Sequence, residues 1–155
     1  MKSKFTLIAL FLMGGLLFNS SCKKTEEAII DKIAENVDVL IDGDKWHTET
    51  ITTVKSGNNY VITAIKGTTE SLMFTLTDLA VGEYSLKPGT GNSAVYTNGT
   101  DFAKNIYSAA SGHVKITAII EDGKEFEGTF EFTAFNANLD SKMFTVGTLV
   151  NIKNP

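Results

Sequence analysis

From Phe126 to Ala134 the chain alternates without a break. Phe126, Gly128, Phe130, Phe132 and Ala134 fall on even positions, and Glu125, Glu127, Thr129, Glu131 and Thr133 on odd ones. A period of two sends successive side chains to opposite faces of a strand. One face of this segment is therefore apolar and the other faces water, which commits it to a half-buried antiparallel sheet. The preceding segment carries Val114, Ile116, Ala118 and Ile120, also on even positions. A two-residue turn at Asp122-Gly123 would set Ile120 against Glu125, an apolar side chain opposite an acid. Because the buried face fixes register, the pattern predicts an odd loop or a bulge. It pairs Ile120 with Phe126, Ala118 with Gly128, Ile116 with Phe130 and Val114 with Phe132.

Other short segments obey the same period. Val37–Ile41 leads into the turn signal Asp42-Gly43-Asp44-Lys45. Trp46–Val54 is rich in threonine and β-branched residues. Tyr60–Ile65, Leu72–Thr77, Glu83–Leu86, Ser93–Thr97 and Met143–Ile152 follow, the last expected to bury Phe144, Val146, Val150 and Ile152. Apart from Ser93–Thr97, the stretch from Pro88 to Gly112 reads as loop. About eight to ten short strands with tight turns predict an all-β domain over 37–155, an antiparallel β-sandwich or a small, partly closed β-barrel.

The first 36 residues differ in kind. Lys2 and Lys4 precede Phe5–Phe18, an apolar run of fourteen residues. A membrane span needs about 20, whereas the core of a secretory signal runs roughly 7–15. Ser20 and Ser21 are small, and Cys22 follows as the only cysteine. The arrangement resembles the lipobox of bacterial lipoproteins, with Asn19 where that motif carries an aliphatic residue. It implies a signal peptide over 1–21 and acylation of Cys22. The implied partner is a lipid bilayer, and the implied place is the bacterial outer membrane, with its periplasmic and surface faces both open. Residues 22–36 form a tether and a short helix, since Ile29, Ile30, Ile33 and Val37 share a helical face. The Cys22-Lys23-Lys24 start with Glu26 and Glu27 close behind resembles surface lipoproteins of Bacteroidota.

The sequence contains no arginine. From Cys22 onward, twelve lysines stand against eighteen acids, a net charge of −6. Nucleic acid requires a basic footprint, so that partner class is excluded. His47 and His113 are the only histidines, and no cluster has the spacing of a zinc site. Asp42-Gly43-Asp44 lacks the spaced acids of a calcium loop and reads as a turn. Neither a metal nor a cofactor is expected. Glu125, Glu127 and Glu131 alternate outward along one strand, where nothing raises a carboxyl pKa for acid catalysis, and no nucleophile elbow is present. Trp46, Tyr96, Phe102 and Tyr107 are the candidate ligand contacts, because aromatic faces stack on sugars and apolar ligands. The sequence thus favours a non-catalytic binding or accessory module for a glycan, small ligand or envelope protein. A purely structural lipoprotein is the alternative, and a hydrolase a more distant one.

Three segments together carry a family resemblance. Val39-Leu40-Ile41-Asp42-Gly43-Asp44-Lys45-Trp46 looks like an opening strand–turn–strand of the form I-[ND]-G-x-x-W. Gly112-His113-Val114-Lys115-Ile116-Thr117, with Phe126-Glu127-Gly128-Thr129-Phe130-Glu131-Phe132, resembles a G-x-[IV]-x-I-T…G-T-F-x-F core. Thr145-Val146-Gly147-Thr148-Leu149 is similar to a closing T-x-G-x-[FL] strand. The set resembles an uncharacterised lipoprotein family of Bacteroidota, a domain of unknown function, over Val37 to Ile152. Its motifs consist of structural glycines and core aromatics, so the resemblance implies a fold and supplies no catalytic residues.

Overall fold

The computed structural model describes residues 34–155, less the side chains of Phe102 and Ala103. Ten strands form one antiparallel sheet. They are β1 (Asn36–Ile41), β2 (Asp44–Thr48), β3 (Ile51–Ser56), β4 (Asn59–Lys66), β5 (Glu70–Thr77), β6 (Gly82–Ser85), β7 (Ser93–Asn98), β8 (Ile106–Ile120), β9 (Glu125–Phe135) and β10 (Ser141–Lys153). A four-residue helix, α1 (Phe102–Asn105), precedes β8, and a 3-10 turn at Glu121–Gly123 follows it. The strand order is β2-β1-β10-β9-β8-β7-β5-β4-β3, with β6 paired to β8. The sheet curls into a half-barrel, which settles the sandwich-or-barrel alternative in favour of the barrel.

Curling follows from the connection between β2 and β3. The sequence reads Trp46–Val54 as one strand, yet the chain breaks at Glu49-Thr50 and its two parts lie at opposite ends of the strand order. Thr48 is the corner. Its buried hydroxyl donates to the Ile65 carbonyl and accepts from the Thr50 N–H at 3.1 Å. The Ile65 N–H donates to the Thr50 carbonyl at 2.9 Å. A two-residue step thus carries the chain from one sheet edge to the other and ties both to β4. The continuous Thr/β-branched pattern hides this corner, because its partner lies 17 residues away.

The β8–β9 pair contains the expected bulge but not the expected pairs. Ile120 does pair with Glu125 and Ala118 with Glu127, and a register shift between Ile116 and Ala118 then restores parity. Beyond it Ile116 pairs with Gly128, Val114 with Phe130 and Gly112 with Phe132, two residues from the expected register. One consequence corrects the reading of the three acids. Glu125 is buried at 4% exposure rather than outward, while Glu131 is exposed. β10 carries two further shifts, between Phe144 and Gly147 and between Leu149 and Ile152. Val146 and Asn151 take left-handed φ values of 53° and 49° there. The phase therefore slips: Phe144, Gly147, Leu149 and Ile152 are buried, Val146 is 73% exposed and Val150 is half-buried. The expected burial of Val146 and Val150 assumed an unbroken period. The loop expected up to Gly112 is also corrected, because β8 already begins at Ile106.

Inside the curl the core is aromatic. Phe132 stacks on Phe144 at 4.1 Å between centroids, and Phe74 meets Phe130 edge-on at 4.8 Å. The motif glycines make room for this packing. A Cβ on Gly147 would lie 2.5 Å from the Phe130 ring, and one on Gly128 would lie 2.6 Å from the Lys115 carbonyl. Of the tether and short N-terminal helix expected over 22–36, residues 22–33 lie outside the described residues. Its expected last residue, Asn36, opens β1 instead, paired with Val150.

Candidate functional site

One end of the half-barrel gathers the turn after β1, the starts of β5, β8 and β10, and the inward side chains of β2 and β7. Asp42 and Gly43 form the two-residue hairpin loop, with φ of 53° and 93°. Positive φ at both central positions is the twist that a tight hairpin needs, and Asp-Gly supplies it. The turn is pinned to β10. Asp42 donates its N–H to the Met143 carbonyl at 2.9 Å and accepts the Met143 N–H at 2.8 Å. Its other carboxylate oxygen accepts from Lys142 Nζ at 3.1 Å. Partial burial pushes the Asp42 carboxyl pKa up, but the Met143 N–H and the Lys142 ammonium together hold it below its ordinary value.

The Lys142 ammonium also lies 5.3 Å from the centre of the Tyr107 ring. Tyr107 sits 6.3 Å from Tyr96, and Tyr96 meets Phe144 edge-on at 5.3 Å. Trp46 donates its indole N–H to Glu70 at 2.8 Å, with Lys66 Nζ 5.9 Å from the indole ring. Burial raises the Tyr96 hydroxyl to a pKa of about 12, with the Glu70 charge, Tyr107 and Asp42 adding to the effect. Lys142 thus braces Tyr107 from the rim, and Glu70 and Lys66 brace Trp46.

Trp46, Tyr96 and Tyr107 therefore share one end of the domain, linked through Glu70 and Phe144. All three are buried, at 4%, 3% and 9% exposure. Phe102 opens α1, and its side chain lies outside the described residues. Cys22 lies outside them as well. Glu70, Lys142 and Asp42 were not singled out as site residues by the sequence. Their roles depend on partners 24 to 101 residues away, for which local pattern carries no signal. His47 is exposed, with Nδ1 2.8 Å from Asp38 and Nε2 3.8 Å from Glu49. His113 lies 4.0 Å from Glu131 on the outer face. Among the described residues, no three His, Cys, Asp or Glu side chains form a group able to hold a metal ion.

Shallow depressions mark the surface of the described residues. One, of about 290 Å³, lies across β8, β9 and β10 and is lined by Ser111, Gly112, Glu131, Thr133, Met143 and Thr145 over Phe132 and Phe144. Another, of about 250 Å³, lies beside the β3–β4 turn, between Lys55, Tyr60 and Asp78.

No curated protein and no solved structure matches this chain. A family model does, over residues 35–153, a span that starts one residue before β1 and ends on the last residue of β10. The half-barrel and the matched span coincide, and the chain belongs to the family described as a domain of unknown function, DUF6252.

Proposed function

We propose that this chain is a lipid-anchored lipoprotein of the cell envelope, of the Bacteroidota type, whose β domain is a non-catalytic binding or accessory module. The observation that carries the reading is Cys22 placed directly behind Phe5–Phe18 and two serines. A thiol there is the acceptor for a diacylglyceryl group. Two acyl chains or more give firm anchoring where one gives only marginal binding. Between Cys22 and β1 the chain supplies a charged tether.

The β domain supports the non-catalytic part of the reading. Two carboxylates at the rim are taken up by structural partners, Asp42 by Met143 and Lys142 and Glu70 by Trp46. Its inward aromatic side chains pack on one another. A structural or interaction lipoprotein without a small-molecule site is the second reading. It is favoured by the modest size of both described depressions, about 290 and 250 Å³, at or below the low end of the roughly 300–1,000 Å³ usual for ligand pockets.

Metabolic labelling with an alkyne-tagged palmitate tests the anchor. The wild-type chain should take up label and Cys22→Ser should not. Equal labelling of the two, or none on either, would overturn the proposal.

A further inference from the structure

We infer that the outward face of β8, β9 and β10 holds a site for a neutral, polyhydroxylated ring, a sugar unit of a glycan. The inference rests on the binding-module reading above and gives that module a location and a ligand class.

Register sets out the site as a grid. Ser111 pairs with Thr133, and Thr133 with Met143. One step along the same face, His113 pairs with Glu131, with Thr145 beyond Met143 on β10. Directly opposed side chains on neighbouring strands stand about 4.5–5.5 Å apart, so three hydroxyls and a carboxylate converge on one patch. Among the described residues, no hydrogen-bond partner is shown for the Ser111, Thr133 or Thr145 hydroxyls. Glu131 is 63% exposed, and its one described ion-pair contact is His113 at 4.0 Å.

The floor is shaped by Gly112. Its φ is 120°, and a Cβ there would fall 2.3 Å from the Glu131 carbonyl oxygen and 2.4 Å from Phe132 Cα. Only glycine allows this approach. The adjoining register shift between Ala109 and Ser111 bends β8 against β9. Gly112 thus lets the β8 backbone close against β9 at the floor of the open depression of about 290 Å³.

The lining chooses the ligand. An anion would meet the Glu131 charge with no ammonium among the lining residues to offset it. A bare calcium ion wants six to eight oxygen ligands, and a single carboxylate is poorly equipped for that. An apolar ligand would strand three hydroxyls and a carboxylate without partners. Adjacent hydroxyls on a sugar ring satisfy all four groups: they donate to the carboxylate and exchange hydrogen bonds with Ser111, Thr133 and Thr145. Met143, 56% exposed, offers a pliable thioether to the C–H face of the ring.

The test uses the full chain, isotopically labelled and held in detergent, titrated with neutral hexamers of glucose, mannose and galactose. At least one should give saturable amide shifts centred on Ser111, Gly112, Thr133 and Thr145. Glu131→Gln should weaken that binding about tenfold, and a polyuronate of equal length should bind at least as weakly. Both Glu131→Gln and Ser111→Ala alter outward side chains. If the first lowers the melting temperature, the second gives the same readout with its fold intact. No saturable shift with any hexamer, or binding indifferent to both substitutions, would overturn the inference. Shifts centred on Trp46, Tyr96 and Tyr107 would also overturn it while leaving the binding-module reading standing. Failure of the palmitate labelling would remove the lipid anchor without touching this site.

Discussion

At the scale of single residues, Asp42 links parts of the chain that lie about a hundred residues apart. It occupies a strained left-handed position in the β1 turn and accepts the Met143 N–H and the Lys142 ammonium, 100 residues on. Its folded pKa lies below the ordinary value of an aspartate. A carboxyl lowered on folding stabilises the protein above its unfolded pKa, and that stability is lost as pH falls through the folded pKa. Asn tolerates positive φ and keeps an acceptor for Met143, so Asp42→Asn isolates the charge. We expect it to cost about 0.5–1 kcal/mol at pH 7, the scale of a partly exposed pair. The gap from wild type should narrow as pH falls below the ordinary aspartate value of about 3.9 and through the lower folded pKa, as read from urea melts at pH 7 and pH 3. A gap unchanged with pH would contradict this role. The sequence marks Asp42-Gly43 as a turn, but not the residue onto which the turn locks. The same holds for Gly112, Gly128 and Gly147. Each is visible as a motif glycine, and its reason is a contact with a strand that is distant in sequence.

At the scale of elements, the strands are legible and their phases are not. Alternation locates β4, β5, β7 and β9 within a residue or two, because each runs unbroken with one buried face. It fails on β10, where left-handed residues at Val146 and Asn151 insert extra positions. A valine at φ 53° is a conformational outlier. No local propensity announces it, since glycine or asparagine would be the ordinary choice. The left-handed conformation costs an L-residue roughly 1–2 kcal/mol, and Val146 recovers little by burial at 73% exposure. Val146→Asn should therefore stabilise the domain by about 1 kcal/mol, a rise of a few degrees in melting temperature. A fall in melting temperature would mean that the valine side chain supports the sheet in a way its exposure conceals. The Thr48 corner escapes the sequence for a related reason. Thr-Glu-Thr-Ile-Thr-Thr reads as a strand, and only the Ile65 carbonyl and N–H divide it.

At the scale of the whole molecule, composition and period place the chain among all-β domains, and closure of the sheet is the part they leave out. The sheet curls because β2 and β3, two residues apart in sequence, occupy its opposite edges. That curl turns Trp46, Tyr96 and Tyr107 inward, where all three are buried. It also turns Ser111, Thr133, Thr145 and Glu131 outward on β8, β9 and β10, where alternation marks only a water-facing surface. The account thus depends on a sheet held shut by Thr48, Ile65 and the bond from Trp46 to Glu70. Hydrogen exchange at the Ile65 amide and the Trp46 indole tests that closure most directly. Both protons should exchange slowly, on the scale of the strand interiors. Rapid exchange at both, with the amides of β4 and β5 still protected, would show that the edges stand apart and that the half-barrel is open.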